Sequence, residues 1–292
     1  MEKANKNTKR ERRPRTLPLI VTVCRNRQMY ARCIAHNPYM ASATKVLIDN
    51  EVKNLGIPKR YNAFLDSYDY AHPTWLIFCH EDWQLKQDLT FLRTLDKNTL
   101  YGPIGVHLEE TPTKIIYSMY GQVVQSDKDG GRCMQPGISI SQPTPVETFD
   151  CQCLIVHSDL IKKHHLRFDE HLTYDLYIED FCMAAKERFS LKSYVIPLAC
   201  QHYSYGKLTP LFHQQLAYLQ NKYKNARRVY GSTVNKIIIG TTRKKIKYAG
   251  TTWTRRVLRF LYYQKITQTG YLSIKICKLP ICHKKIKKNN AV

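Results

Sequence analysis

The apolar run WLIFC, residues 75–79, stops abruptly at His80, Glu81 and Asp82. An imidazole and a carboxylate two residues apart at a strand's end point the same way and can share a divalent ion. Hard oxygen ligands suit magnesium or manganese, with phosphate oxygens of a substrate completing the shell. A plainer role is open to the same residues: a strand-end histidine that hydrogen-bonds its neighbouring carboxylate. Asp49 with Asn50, and His202 with Ser204, close two further apolar runs in the same manner. Glu179 and Asp180 fall in the first turn of a helix expected over residues 177–189, where acidic groups also complement the helix dipole.

A scaffold has to hold these clusters. LPLIVTVC, ATKVLIDN, TWLIFC, GPIGV, VETFDCQCLIV and SYVIPLAC have strand composition, whereas residues 59–70, 84–95, 158–166 and 177–189 follow helical spacing. Their alternation predicts an α/β fold with a mostly parallel sheet flanked by helices. Ligands of such open sheets bind beyond the carboxyl ends of the strands, which is where the polar clusters fall. Residues 109–145 are rich in glycine and proline and predict an insertion of hairpins and loops. GxGxxG, GxxxxGK[ST] and GxSxG motifs are all absent, which removes the usual dinucleotide, P-loop and hydrolase assignments.

Charge divides the chain. Net charge is +23, and residues 188–292 hold 22 Lys and Arg with no Asp or Glu. Residues 1–187 are close to neutral, with 24 basic against 23 acidic side chains. That asymmetry calls for an anionic partner for the C-terminal part, nucleic acid or a membrane surface. In TTWTRRVLRFLYYQK, helical spacing puts Trp253, Val257, Phe260 and Leu261 on one face and Arg255, Arg256 and Arg259 on another, the pattern of an interfacial helix. The cysteines, 10 in all, form no CxxC pair and several lie in apolar runs, so they read as small hydrophobes of a reducing cytoplasm. No secretory signal is evident.

The blocks YNAFLDSYDYAHPTWLIFCHEDW, VETFDCQCLIV, LRFDEHLTYDLYIEDFCMAAKE and the strand ending HYSYG occur in order over about residues 17–225. Together they resemble bacterial glycosyltransferase-like proteins of GT-A nucleotide-diphospho-sugar fold, close to family 2. The resemblance implies a transferase domain at 17–225, which composition flanks with a basic disordered arm at residues 1–16 and a basic helical C-terminal extension at 226–292. It implies that Cys24, Arg25 and Asn26 lie near the donor's base, with Asp49 close by. His80 and Asp82 stand where relatives carry an Asp-x-Asp motif, Asp82 as metal ligand and His80 toward ribose or diphosphate; the histidine departs from that pattern. His202 would be a second metal ligand, Asp150 would line the acceptor side, and Asp180 or Glu179 would be the general base of an inverting displacement. A manganese or magnesium ion, a nucleotide-sugar donor and a glycan or glycolipid acceptor such as lipooligosaccharide are implied too. So is a place on the cytoplasmic face of the cell membrane.

Two readings from other classes compete. Basic ends and 20 tyrosines would suit a nucleic-acid binder, yet no nucleic-acid motif occurs and residues 17–187 hold 17 basic against 21 acidic side chains. No nucleic-acid partner is therefore expected. The other alternative is a transferase fold that serves as a non-catalytic partner subunit.

Overall fold

A computed structural model describes residues 17–249 except 132, 135 and 205–207, together with the backbone of four strands between 252 and 285. Strands follow in chain order as β1 (Leu19–Cys24), β2 (Thr44–Asp49), β3 (Trp75–Cys79), β4 (Trp83–Leu85), β5 (Thr99–Gly102) and β6 (Ile104–Glu110). Next come β7 (Lys114–Gly121), β8 (Val123–Ser126), β9 (Cys133–Met134), β10 (Thr144–Val146), β11 (Thr148–Phe149) and β12 (Cys153–His157). Then β13 (Lys192–Val195), β14 (Cys200–His202), β15 (Tyr230–Gly231), β16 (Ile238–Ile239) and β17 (Lys245–Tyr248) complete the body. The α-helices are α1 (Arg27–Tyr30), α2 (Ile57–Ser67), α3 (Ser158–His164), α4 (Tyr177–Phe189) and α5 (Pro210–Lys222).

The central sheet has the order β10-β13-β5-β12-β3-β1-β2. β1, β2, β3, β5 and β13 share one direction, while β12 and β10 are reversed. Two-residue alternation sends Val21, Val23, Leu76, Phe78, Leu154 and Val156 to one face, where Tyr61, Leu65, Leu160 and Phe181 of the helices cover them. Ile20, Cys24, Ile77, Cys79, Cys153 and Ile155 face the other way, onto Cys33, Ile34, Met40, Leu89 and Leu92. Both faces are thus apolar, which explains why these strands read as unbroken hydrophobic runs. A buried leucine, isoleucine or phenylalanine contributes about 1.5–3 kcal/mol, so these two layers dominate the fold's stability.

Several expected elements divide. VETFDCQCLIV breaks at Asp150–Gln152, so β11 pairs with β6 outside the central sheet while β12 pairs with β3 and β5 inside it. SYVIPLAC breaks likewise into β13 and β14. Of the helix expected over 84–95, only a 3₁₀ turn at Leu89–Thr94 forms, capped by Asp88, because Trp83–Leu85 is drawn into pairing with β14. The expected insertion is mainly a long hairpin, β6 with β7.

Among the described residues the C-terminal extension carries strands and one 3₁₀ turn, Val234–Lys236, where an α-helix was expected. After α5 the chain returns to the body: β15 pairs with β16, and β17 adds to β7 in parallel. The backbone over Thr252–Leu258, Leu261–Ile266, Tyr271–Ile276 and Leu279–Lys285 forms a four-stranded antiparallel meander. β-branched and aromatic residues are dense in this stretch and favour strands. A two-residue repeat does not produce the face segregation on which the interfacial-helix expectation rested. The expectation for residues 1–16 lies outside the described residues.

Gly231 fastens the returning segment. A Cβ there would stand 2.4 Å from Val106 Cγ1 and 3.0 Å from Tyr117 Cε2. Gly231→Ala is therefore expected to lower unfolding stability by about 1–3 kcal/mol in a denaturant titration. An unchanged midpoint would mean that this segment does not belong to the body's cooperative unit.

Candidate active site

The reversal of β12 builds the site. Because β12 runs against β3 with Cys153 opposite Cys79, the residues just before β12 and just after β3 emerge at the same sheet edge. There the His80 amide donates to the Gln152 carbonyl at 3.1 Å, and the Trp83 amide to the His80 carbonyl at 3.2 Å. The second bond closes a four-residue turn over His80, Glu81, Asp82 and Trp83. A turn, and not strand alternation, is what presents His80 and Asp82 together.

β14 supplies the third member. His202 pairs with Trp83 across the β4–β14 ladder, and the Tyr203 amide donates to the Asp82 carbonyl at 2.9 Å. Ligand atoms of His80, Asp82 and His202 all lie within 4.8 Å of one another. Asp82 Oδ1 is 3.2 Å from His202 Nε2. Yet Asp82 Oδ1 and both ring nitrogens of His202 are buried with no hydrogen-bond partner. Unpaired buried polar atoms are costly, and a shared cation is one arrangement that satisfies Asp82 Oδ1 together with one ring nitrogen of His202. Two imidazoles and a carboxylate therefore fit a divalent metal, with imidazole favouring a first-row transition ion over magnesium.

Charges in the cluster support one another. Burial pushes the Asp82 carboxyl up, but the positive charge of His202, and then of His80, outweighs it and holds the group at about 2. Burial pushes His202 down, and the charge of Asp82 more than reverses that. His80 is held below its ordinary value, chiefly by burial. Tyr177 fixes its tautomer: the phenol donates to the Cys151 carbonyl at 3.0 Å and lies 2.9 Å from His80 Nε2. A hydroxyl with its one proton so used accepts from Nε2–H, which leaves Nδ1 with the free lone pair.

Three adjoining depressions meet at this cluster. A cavity of about 360 Å³ is lined by His80, His202, Asp150, Cys151, Asp175 and Glu179, among others. A second depression is lined by Arg25, Arg27 and Lys128 together with Glu51, Glu81 and Asp82. A third, bounded by Arg25, Asn50, His80, Glu81, Asp82 and Tyr174, shares residues with both. His80 and Asp82 thus stand between a side of mixed charge and an acidic side.

Glu179 is the most perturbed carboxyl of the acidic side. It is fully buried, accepts from Ser232 Oγ at 2.8 Å and from the Cys151 thiol at 3.0 Å, and meets no cation in the structure. Burial, then the charge of Asp150, raises it to about 7. Asp175 is raised too, by burial and then by Asp150. Leu176, which caps α4 and lines the cavity, has φ +61°, a left-handed conformation rare for a branched side chain.

The other expected residues divide. Asp180 does not line the cavity: its carboxylate accepts from Lys222 Nζ at 2.7 Å and Tyr223 OH at 2.9 Å, within a network that includes Asp169. One helical step of about 100° separates it from Glu179. Asp150 does line the cavity, with Oδ2 accepting from Thr233 Oγ1 at 2.6 Å. Arg25 lines the mixed-charge depression, as does Asn26, whose side chain also caps α1. Cys24 is packed in the core beneath them, its thiol raised by burial to about 11. Asp49 is exposed and pairs with Arg27. Ser232, Thr233, Cys151, Asp175, Tyr177 and Lys128 were not singled out from sequence, and isolated polar residues in loops carried no signal that could have done so.

No protein-family model matches the chain, and no curated protein matches it. Among solved structures it is similar to the crystal structure of GalNAc-T7 with UDP, GalNAc and Mn²⁺, at 9% sequence identity and a TM-score of 0.42. That match covers 75% of this chain and 53% of the other, so the chain spans about half that protein's length. A likeness of this degree carries no argument about function.

Proposed function

We propose that the protein is a GT-A-type glycosyltransferase that moves a sugar from a nucleoside diphosphate donor to a hydroxyl acceptor by one inverting displacement. The observation that carries this reading is the placement of a buried carboxyl of pKa about 7, Glu179, in an acidic cavity that shares its wall with the His80–Asp82–His202 cluster. Arg25 and Lys128 on the mixed-charge side suit the donor's phosphates. His80, Asp82 and His202 would hold a divalent ion, manganese in preference to magnesium, and bound there it supplies Lewis-acid stabilisation of the departing diphosphate. Glu179 takes the acceptor's proton, the task for which a carboxyl near neutrality is suited. Asp180 is a structural partner of Lys222 in this reading.

The basic excess after residue 188 supports docking to an anionic membrane surface from the cytoplasmic side, with each Lys or Arg near the surface contributing about 1 kcal/mol. No helix among the described residues is long and apolar enough to cross a membrane. A lipid-linked surface glycan of bacterial type is the acceptor that such docking would bring within reach.

These measurements test the reading. Calorimetric titration with Mn²⁺ is expected to show one site, weakened more than tenfold by Asp82→Asn and by His202→Ala. Equal affinity in all three proteins would remove the metal. Transfer from a panel of nucleotide sugars should rise about tenfold per pH unit up to about pH 7 as Glu179 loses its proton, then level off. Glu179→Gln should bind donor normally and lose at least about a hundredfold in turnover. Asp180→Asn should keep turnover within a few-fold while costing about 3 kcal/mol of stability; the reverse pattern would return the base to Asp180. Because Asp150, Asp175 and Glu179 line a cavity with no Lys or Arg among its described residues, the reacting end of the acceptor should be uncharged or amine-bearing. A hexuronic acid glycoside should react at least about tenfold more slowly than the matching hexose, and faster transfer to the acid would contradict this.

A further inference from the structure

Glu179 is a buried carboxyl whose side-chain hydrogen-bond donors come from outside its own helix. Cys151 precedes β12, whereas Ser232 follows β15, in the segment that returns to the body after α5. That segment is located by its backbone. The Ser232 carbonyl accepts from Tyr117 OH at 2.7 Å, and the Ser232 amide donates to the Ile237 carbonyl at 2.9 Å. The Gly231 carbonyl accepts from Thr148 Oγ1, and Tyr230 OH donates to Glu187. Gly231 itself sits too close to Val106 and Tyr117 to carry a side chain without displacing them. Ser232 is 0% exposed, and its hydroxyl has few alternatives: it donates to Glu179 Oε1 at 2.8 Å and accepts from the Val234 amide at 3.2 Å. The next residue, Thr233, donates to Asp150 at 2.6 Å and lines the cavity.

We propose that Ser232 is a positioning residue, whose hydroxyl holds the Glu179 carboxylate in place, and that with Thr233 on Asp150 it makes the returning segment a functional wall of the site. Two of the three carboxylates of the acidic side, Glu179 and Asp150, are then oriented by neutral hydroxyls from one short stretch. Hydroxyls hold a carboxylate without the full positive charge that Lys222 brings to Asp180. The titratable groups around Glu179 are Asp150 and Cys151 before β12, Tyr117 on β7, and Tyr177, Asp180 and Cys182 on its own helix. Of these Asp150 raises it, Cys151 opposes that as a donor together with Ser232, and Asp180 is turned away onto Lys222.

The inference rests on the reading of Glu179 as the base, and its test has a readout that does not need turnover. Infrared difference spectra between the wild type and Glu179→Gln isolate the carboxyl band, which is followed from about pH 5 to about pH 9. Loss of a donor to the charged form should move the midpoint of Ser232→Ala upward by about one pH unit, and Ser232→Thr should return it most of the way. The acidic limb of the transfer rate should move by the same amount, with donor binding unchanged. An unmoved midpoint in a folded Ser232→Ala protein would overturn the proposal, as would a loss of rate that Ser232→Thr shares equally. Should Ser232→Ala unfold, Ser232→Cys, which keeps the shape and weakens the donor, serves the same comparison. If the wild type binds no nucleotide sugar, the transferase reading falls while the infrared midpoint still decides the role of Ser232.

Discussion

One strand reversal governs the site. Pairing β12 antiparallel between β3 and β5 turns its amino end toward the edge where β3 delivers His80. Had β12 run parallel, Asp150–Gln152 would emerge at the opposite edge, about 17 Å away for a strand of this length. The Gln152 carbonyl that receives the His80 amide would be lost, and so would the Cys151 carbonyl that orients Tyr177. Register is pinned by the buried run on both faces of β12, since a slip of one residue would exchange the two cores. The groove's geometry therefore depends on hydrophobic packing several residues from any polar atom.

The first turn of α4 shows how one helix can serve stability and chemistry with adjacent residues of the same type. Asp180 faces α5 and pairs with Lys222, whose charge offsets part of the burial that still holds this carboxyl above its ordinary value. Glu179 faces the cavity and receives a thiol, a hydroxyl and its own backbone amide but no lysine among the described residues, and burial raises it to about 7. The difference lies in what each carboxyl meets, not in burial, because both are almost wholly buried. Such divergence between neighbouring carboxyls is how acid–base roles are commonly assigned by an environment.

Much of the central sheet was legible because its strands are apolar on both faces, and a continuous run such as LIVTVC or WLIFC has few other uses. Helix α4 was legible from end to end by its periodicity. The cluster His80–Asp82 was visible as a polar stop, though the turn that unites it depends on pairing between residues 83–85 and 200–202 that lie far apart in sequence. That same long-range pairing explains why the helix expected over 84–95 gave way. Choosing between Glu179 and Asp180 was beyond the sequence, since adjacent helical residues differ only in facing, and what α5 and the Ser232 segment place opposite them is tertiary. The C-terminal extension misled for a related reason: its apolar residues fit a helical face and a strand equally well, and composition alone carried the strand preference.

The distribution of unfavourable features separates a working groove from a merely inherited fold. Among the described residues, seven buried side-chain polar atoms lack a hydrogen-bond partner, and five of them belong to Asp82, Trp83, Gln152 and His202. The left-handed Leu176 and the raised Glu179 lie in the same region. Elsewhere only His107 Nδ1 and Ser193 Oγ are left without a hydrogen-bond partner among the described residues, while Asn37, Asn62 and Gln215 make several bonds each. A scaffold selected for stability alone gains nothing from concentrating such costs in one groove, because apolar replacements of similar size would be neutral or better. Their concentration around a cluster that fits a cation, beside a carboxyl that gives up its proton near neutrality, favours a catalytic protein over a non-catalytic partner subunit. It also sets the body apart from the basic extension: the extension's charge can bring an anionic surface close, but the groove holds the groups whose unmet interactions a substrate complex would complete.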